Sequence, residues 1–222
     1  PPLALSLDLT GKIPLTLYRI LLSLFFPALV LALLVRRFRG QETAAMLAER
    51  LGNTTRPRPA APIAWLHAAS NGELTSARQV VQRLLAEAPD LHIVVTTNTA
   101  TGRNMALGWR FGRVTVAMAP LDHRLILRRF LNHWQPKALI MVENELWPNR
   151  FALCAARAIP VLFIGARISA KSARIWSVFP GLAGPLLAPI RFLSAQDAAS
   201  EARFFKLGLP AAVIGPQVNL KS

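Results

Sequence analysis

Acid is what this sequence has least of. Its 222 residues carry 11 Asp and Glu against 26 Lys and Arg, a formal charge of +15. So lopsided a balance speaks against cationic ligands and for polyanionic ones, either nucleic acid or an anionic membrane surface. The basic residues are spread along the chain instead of gathered in one tail, which argues against nucleic acid. One cysteine, Cys154, excludes an intramolecular disulfide. It sits in a helix-like stretch and reads as a small buried hydrophobe, not a nucleophile. The four histidines show no metal-ligand spacing, so no metal is expected. Neither Gly-x-Gly-x-x-Gly nor Gly-x-x-x-x-Gly-Lys-Ser/Thr occurs, which removes the main support for dehydrogenase and ATPase readings. Internal repeats and low-complexity tracts are missing as well.

What is present begins with an apolar run. Residues 20–35 contain no charge, and residues 15–35 are interrupted only by Arg19. That is just long enough for a helix across a hydrocarbon layer, which takes about 20 residues. Pro27 would kink it tolerably. Arg36, Arg37 and Arg39 follow, and the positive-inside rule places the rest of the chain in the cytoplasm. A cleaved signal would carry its basic cluster on the other side. A crossing helix and a hairpin lying in the inner leaflet both remain open. Residues 1–40 are thus a membrane anchor, and 41–62 a short amphipathic helix and a Pro/Arg-rich linker.

From residue 63 the pattern alternates. Strand-like runs at 63–68, 92–97, 114–119, 138–142, 160–165, 192–195 and 212–214 are separated by helix-like segments at 73–88, 101–109, 123–134, 147–158, 169–187 and 198–207. This predicts βαβ units, hence a Rossmann-like parallel sheet with helices on both faces over 63–222. Ligands of such sheets bind beyond the C-terminal strand ends.

Those ends hold the candidate residues. After the first strand comes His67-Ala68-Ala69-Ser70-Asn71-Gly72-Glu73. Its small residues admit a ligand to the helix N-terminus. Ser70 and Glu73 have capping-box spacing, and Glu73 is equally placed to act as a general base for an acceptor hydroxyl; the two roles can coexist. Thr99, Thr101 and Gly102 follow the second strand in a polar turn suited to sugar or phosphate oxygens, and equally to an ordinary helix start. Asp122, after the third, reads as a helix N-cap. The fourth strand ends in Glu143-Asn144-Glu145-Leu146-Trp147-Pro148-Asn149. A carboxylate beside a buried apolar strand must be paired or hydrogen-bonded, so at least one of the two needs a partner, with Arg or Lys from a neighbouring loop the obvious candidate. Arg167 and Gln196 stand after the fifth and sixth strands.

Taken in order, these motifs resemble the Kdo transferases, which move 3-deoxy-D-manno-octulosonic acid (Kdo) from CMP-Kdo to lipid A precursors. His-Ala-Ala-Ser-x-Gly-Glu at 67–73 and Glu-x-Glu-Leu-Trp-Pro-Asn at 143–149 are the most specific. Glu49-Arg50-Leu51-Gly52, Thr-x-Thr-Gly at 99–102, Ala-Arg-Ile-Ser at 166–169, Ala195-Gln196 and Arg203-Phe204 support them. Gly165 stands where the family commonly has Asn. The resemblance implies the N-terminal, acceptor-side half of an inverting, metal-independent GT-B glycosyltransferase on the cytoplasmic side of the inner membrane. It implies Glu73 as general base, Glu143 and Lys221 as transition-state stabilisers, and Ser70, Gly72, Thr99, Thr101, Gly102, Glu145, Arg167 and Gln196 as substrate-binding. CMP-Kdo, a lipid A precursor such as lipid IVA and the anionic membrane surface are the expected partners, with no cofactor and no nucleic acid. The family's C-terminal donor-binding domain is absent from these residues, and a non-catalytic module binding lipid A phosphates is the alternative.

Overall fold

The computed structural model describes residues 15–143 and 145–220, apart from the side chains of Pro180, Leu182 and Pro185. Helices α1 (Leu15–Phe38) and α2 (Ala44–Arg50) precede strand β1 (Ile63–His67). The chain then alternates α3 (Asn71–Glu87), β2 (His92–Thr97), α4 (Ala100–Leu107), β3 (Val114–Met118), α5 (Arg124–Trp134), β4 (Ala138–Val142), α6 (Pro148–Ala156) and β5 (Val161–Ala166). Helices α7 (Ala170–Val178) and α8 (Pro180–Leu187), strand β6 (Ile190–Ala195) and helix α9 (Ala198–Lys206) complete it. The strands form one six-stranded sheet in the order β3-β2-β1-β4-β5-β6, parallel throughout.

Strand alternation divides the core in two. Ile63, Trp65, Leu139, Met141 and Phe163 face one layer with Leu127, Phe151 and Phe204 from the helices. Ala64, Leu66, Ile93, Ile140 and Val142 face the other with Leu74 and Val81 of α3. Both faces being covered explains why the strands read as continuous apolar runs.

Two elements differ from the sequence reading. The single helix expected over 169–187 is broken at Phe179, with α8 starting at Pro180. Proline has no N–H to continue the earlier ladder and disfavours helical geometry in the residue before it, yet suits a first turn. The strand expected at 212–214 is a 3-10 turn, Ala211–Val213, with one parallel bridge between Leu193 and Ile214.

Helix α2 is wired in by buried charge. Arg50 meets Glu42 through Nε at 2.9 Å and Nη2 at 2.8 Å, and Nη2 also donates to the Asn98 carbonyl at 2.7 Å. Glu49 accepts both Arg103 bonds at 2.9 Å and the Met118 amide at 2.9 Å. Gly52 has φ +78°, and a Cβ there would sit 2.3 Å from the Ile126 carbonyl oxygen. Only glycine meets both demands. The Glu-Arg-Leu-Gly segment is thus a structural wedge.

Candidate active site

The sheet order reverses direction between β1 and β4, and an open crevice forms where such a switch occurs. The loops after β1 and β4 therefore face one another, and they carry the two most specific motifs.

Glu73 sits in the first turn of α3, half-buried. Its Oε2 accepts the Ala69 N–H at 2.6 Å and its Oε1 the Ser70 hydroxyl at 3.1 Å, while Ser70 Oγ accepts the Glu73 N–H at 3.3 Å. This is a capping box shifted by one residue, closing on Ala69 instead of the N-cap itself. Each carboxylate oxygen retains a lone pair. Burial raises the pKa of Glu73; the Ala69 and Ser70 hydrogen bonds pull it back, and the charges of Glu143 and Glu145 raise it further. Three carboxylates from two strand ends thus share one electrostatic environment.

Glu145 is held by the protein's own donors. His67 Nε2 lies 2.7 Å and Trp147 Nε1 2.9 Å from Oε2, and Asn98 Nδ2 lies 2.6 Å from Oε1. Burial opposes its ionisation, yet the His67 and Trp147 bonds and the Arg150 charge keep its pKa well below the usual carboxylate range. His67 is fully buried, and burial followed by the Arg150 charge pushes it down to about 4. The imidazole is therefore neutral near pH 7. Its Nε2 carries the proton because a carboxylate only accepts, and Nδ1 takes the Thr96 hydroxyl at 2.9 Å. Arg150 lies 5.2 Å over the Trp65 ring, with its charge between Asp122 and Glu145.

Glu143 ends β4 in the left-handed region, φ 59°, while its N–H still donates to the Ile164 carbonyl at 3.1 Å. A non-glycine residue there costs on the order of 1–2 kcal/mol, and such strain collects at functional sites. Gly165 at the end of β5 is also left-handed, φ +66°, which accounts for Gly or Asn at that place.

Asp122 caps a helix, but not its own. His123 is the N-cap of α5, without a side-chain bond. Asp122 instead reaches α6, accepting the Asn149 N–H at 3.0 Å and the Arg150 N–H at 2.8 Å, together with the Tyr18 hydroxyl at 2.9 Å. It supplies the cap that Trp147 cannot. Burial pushes it up to about 6, against the Arg150 charge and these donors.

The remaining expected residues fall at the strand ends. Thr99 caps α4 through the Gly102 N–H at 3.0 Å, and Thr101 meets Asn71 Oδ1 at 3.4 Å. Gln196 Oε1 is buried without a partner among the described residues. Arg167 is exposed at the end of β5. Lys221 lies outside the described residues. Cys154 is buried and its thiol pushed up to about 12, as a core residue requires. No group of three or more metal-ligating side chains occurs among the described residues. His67 stood in the sequence only as the first residue of the 67–73 motif, without a role, and Asn98 and Arg150 were not singled out; the signal that could have found them was the need of a strand-end carboxylate for a partner.

The two glycines separate packing from access. A Cβ on Gly102 would lie 2.8 Å from both Leu74 Cδ1 and Thr97 Oγ1, whereas one on Gly72 would meet only Ser70 Oγ at 4.0 Å. Gly102→Ala should cost about 1–3 kcal/mol, and Gly72→Ala less than about 0.5 kcal/mol, in chemical denaturation. Equal losses would contradict this division.

Residues 45–222 match the family model described as 3-deoxy-D-manno-octulosonic-acid transferase (kdotransferase). The chain is 34% identical over 207 residues to a probable mitochondrial 3-deoxy-D-manno-octulosonic acid transferase of Arabidopsis thaliana, covering 92% of this chain and 46% of that protein. It is 35% identical over 178 residues to the 3-deoxy-D-manno-octulosonic acid transferase of Haemophilus influenzae, covering 79% and 41%. It spans less than half the length of these curated relatives. Among solved structures, UDP-GlcNAc 2-epimerase from Neisseria meningitidis bound to UDP-GlcNAc superposes with a TM-score of 0.53 at 11% identity, over 72% of this chain and 47% of that one. That likeness shows a shared GT-B-like fold.

Proposed function

The chain belongs to the 3-deoxy-D-manno-octulosonic-acid transferase family, and we propose that it forms the acceptor-side half of an inverting, metal-independent enzyme that moves Kdo from CMP-Kdo to a lipid A precursor. The observation that carries this reading is the convergence of Glu73 with Glu143 and Glu145 at the switch point between β1 and β4.

In this scheme an acceptor hydroxyl enters the crevice and gives its proton to a free lone pair of Glu73. The oxygen bonds to the anomeric carbon of Kdo from the face opposite CMP. The bond to CMP breaks with its electron pair on the phosphate oxygen. Positive charge growing at the anomeric carbon faces Glu143, and Lys221 balances the departing phosphate. Glu145, engaged by His67, Asn98 and Trp147, holds the loop and leaves proton transfer to Glu73. Ser70, Gly72, Thr99, Thr101, Arg167 and Gln196 line the approach. A carboxylate and basic side chains supply every charge the reaction develops, so no metal enters the scheme.

The test is transfer of Kdo from CMP-Kdo to lipid IVA by the full-length polypeptide, followed by mass spectrometry of the lipid. Binding of lipid IVA without transfer would instead favour a non-catalytic module. The proton-transfer step has its own signature. Glu73 must be ionised to act, and its pKa is raised in part by Glu143. Activity should therefore rise with pH through that pKa. Glu143→Gln, whatever it does to the maximal rate, should move the acid limb of the kcat/KM profile to lower pH. An unmoved limb would show that Glu73 does not set it.

A further inference from the structure

Helix α1 is long and apolar enough to cross a bilayer, yet it is fastened to the domain from end to end. Near its start the Tyr18 hydroxyl donates to Asp122 at 2.9 Å and Arg19 Nε to Asn149 Oδ1 at 2.9 Å. At its middle the Phe26 ring stacks on His123 with centroids 4.5 Å apart. Leu33 is buried against the domain, and Arg36 pairs with Glu42 at 3.1 Å. Tyr18, Phe26, Leu33 and Arg36 are separated by eight, seven and three positions, spacings that keep them on one face of a helix of 3.6 residues per turn. The 24-residue helix, about 36 Å long at 1.5 Å per residue, therefore lies flat along the protein.

Its other face is bare. Ile20 is 59% exposed, Leu24 70%, Phe25 65% and Leu31 62%. Monomers seldom leave so continuous an apolar stripe to water. Both ends of the stripe are basic. Arg124 and Arg128 are exposed on α5 and close to Arg19, whose pKa is lowered by burial and then by their charges. Arg37 and Arg39 stand exposed at the far end. An upright α1 would carry the helices packed along it, with Arg124 and Arg128, into hydrocarbon.

We infer that α1 lies in the plane of one leaflet, sunk on its bare face, with Arg19, Arg124 and Arg128 at one end and Arg37 and Arg39 at the other against anionic phospholipid headgroups. The bare stripe supplies the apolar area of an interfacial helix, and the arginines supply charge complementary to phosphate. The same arrangement sets the sheet's strand ends at a fixed height above the leaflet.

Nitroxide labels on Ile20→Cys, Leu24→Cys, Leu31→Cys and Val35→Cys of the full chain, bound to phosphatidylethanolamine and phosphatidylglycerol vesicles, read the depth of each position. Cys154 is buried and takes no label. Equal, shallow depths at all four are expected. A profile deepest near Leu24 and shallow at both ends would overturn the inference in favour of a crossing helix. Labels immobilised in solution without lipid would overturn it in favour of a second copy covering the stripe. Arg124→Glu with Arg128→Glu, both on the surface, should weaken binding to phosphatidylglycerol vesicles by about tenfold or more and leave binding to pure phosphatidylcholine nearly unchanged. Equal binding of this double variant and the parent to phosphatidylglycerol would remove the arginines from the interface. None of these readouts involves sugar transfer, so their outcome is separate from that of the reaction scheme.

Discussion

Glu73→Gln in the full-length polypeptide should lower Kdo transfer by roughly 10²–10⁴-fold, the range of a lost general base, while the protein melts as the parent does. Glutamine is the substitution that isolates the charge. A capping box accepts Gln as readily as Glu, so the amide oxygen can still take the Ala69 N–H and the first turn of α3 stays closed. What disappears is a group able to hold a proton. Alanine would remove the cap and the base together, and its effect could not be assigned. The measurement is an initial rate of transfer beside a thermal melt of the same preparation. Activity within a few-fold of the parent would falsify the base assignment and reduce Glu73 to a helix cap.

The largest effect on stability should come from Asp122→Asn. Its carboxylate is 7% exposed and accepts three donors, from Asn149, Arg150 and Tyr18. Asparagine keeps the shape but turns an NH₂ group towards donors, so at least one buried N–H or O–H loses its acceptor. It also strips the Arg150 guanidinium of a counter-charge in a buried place. Together these should cost about 3 kcal/mol, a fall of roughly 6–12 °C in melting temperature for a domain of this size. The loss should be largely absent from Asn132→Ala, whose exposed side chain on α5 meets the half-buried Arg157. If Asp122→Asn melts within a degree or two of the parent, the buried network does not support the fold as described.

How much of this was legible in the sequence follows from the range over which each signal acts. The strands β1 to β5 and the sheet's parallel character were readable because burial on both faces imposes an unbroken apolar run on each strand. The Ser70 cap was readable because it acts on an amide three residues away, whereas Thr99, read as a ligand-binding residue, proves to cap α4. The Glu73 capping box was legible for the same reason, though its closure on Ala69 instead of Ser70 was not. Asp122 shows where local reading fails. It precedes α5 and looks like that helix's cap, yet it serves α6, more than twenty residues further on. His67 was visible as the opening residue of a motif, but its role was not, since its hydrogen bond to Glu145 bridges 78 positions. Pro180 lies inside the run 169–187 that read as one helix, and the break it makes was not anticipated. Arg150 sits on the buried side of α6, and only the fold reveals a guanidinium stacked on Trp65.

The wedge formed by α2 bears on how such enzymes can be recombined. Composition suggests a natural seam at the proline-rich stretch 53–62, ahead of the first strand. A hybrid joined there would take Arg50 from one parent and the Asn98 carbonyl it grips from the other, and Asn98 in turn steadies Glu145. A mismatch at Arg50, ahead of the first strand, would then loosen a carboxylate inside the crevice. The unit that can be exchanged whole begins no later than Glu42, and its border is drawn by the Glu49–Arg103 ion pair and the Arg50–Asn98 hydrogen bond, which span the linker.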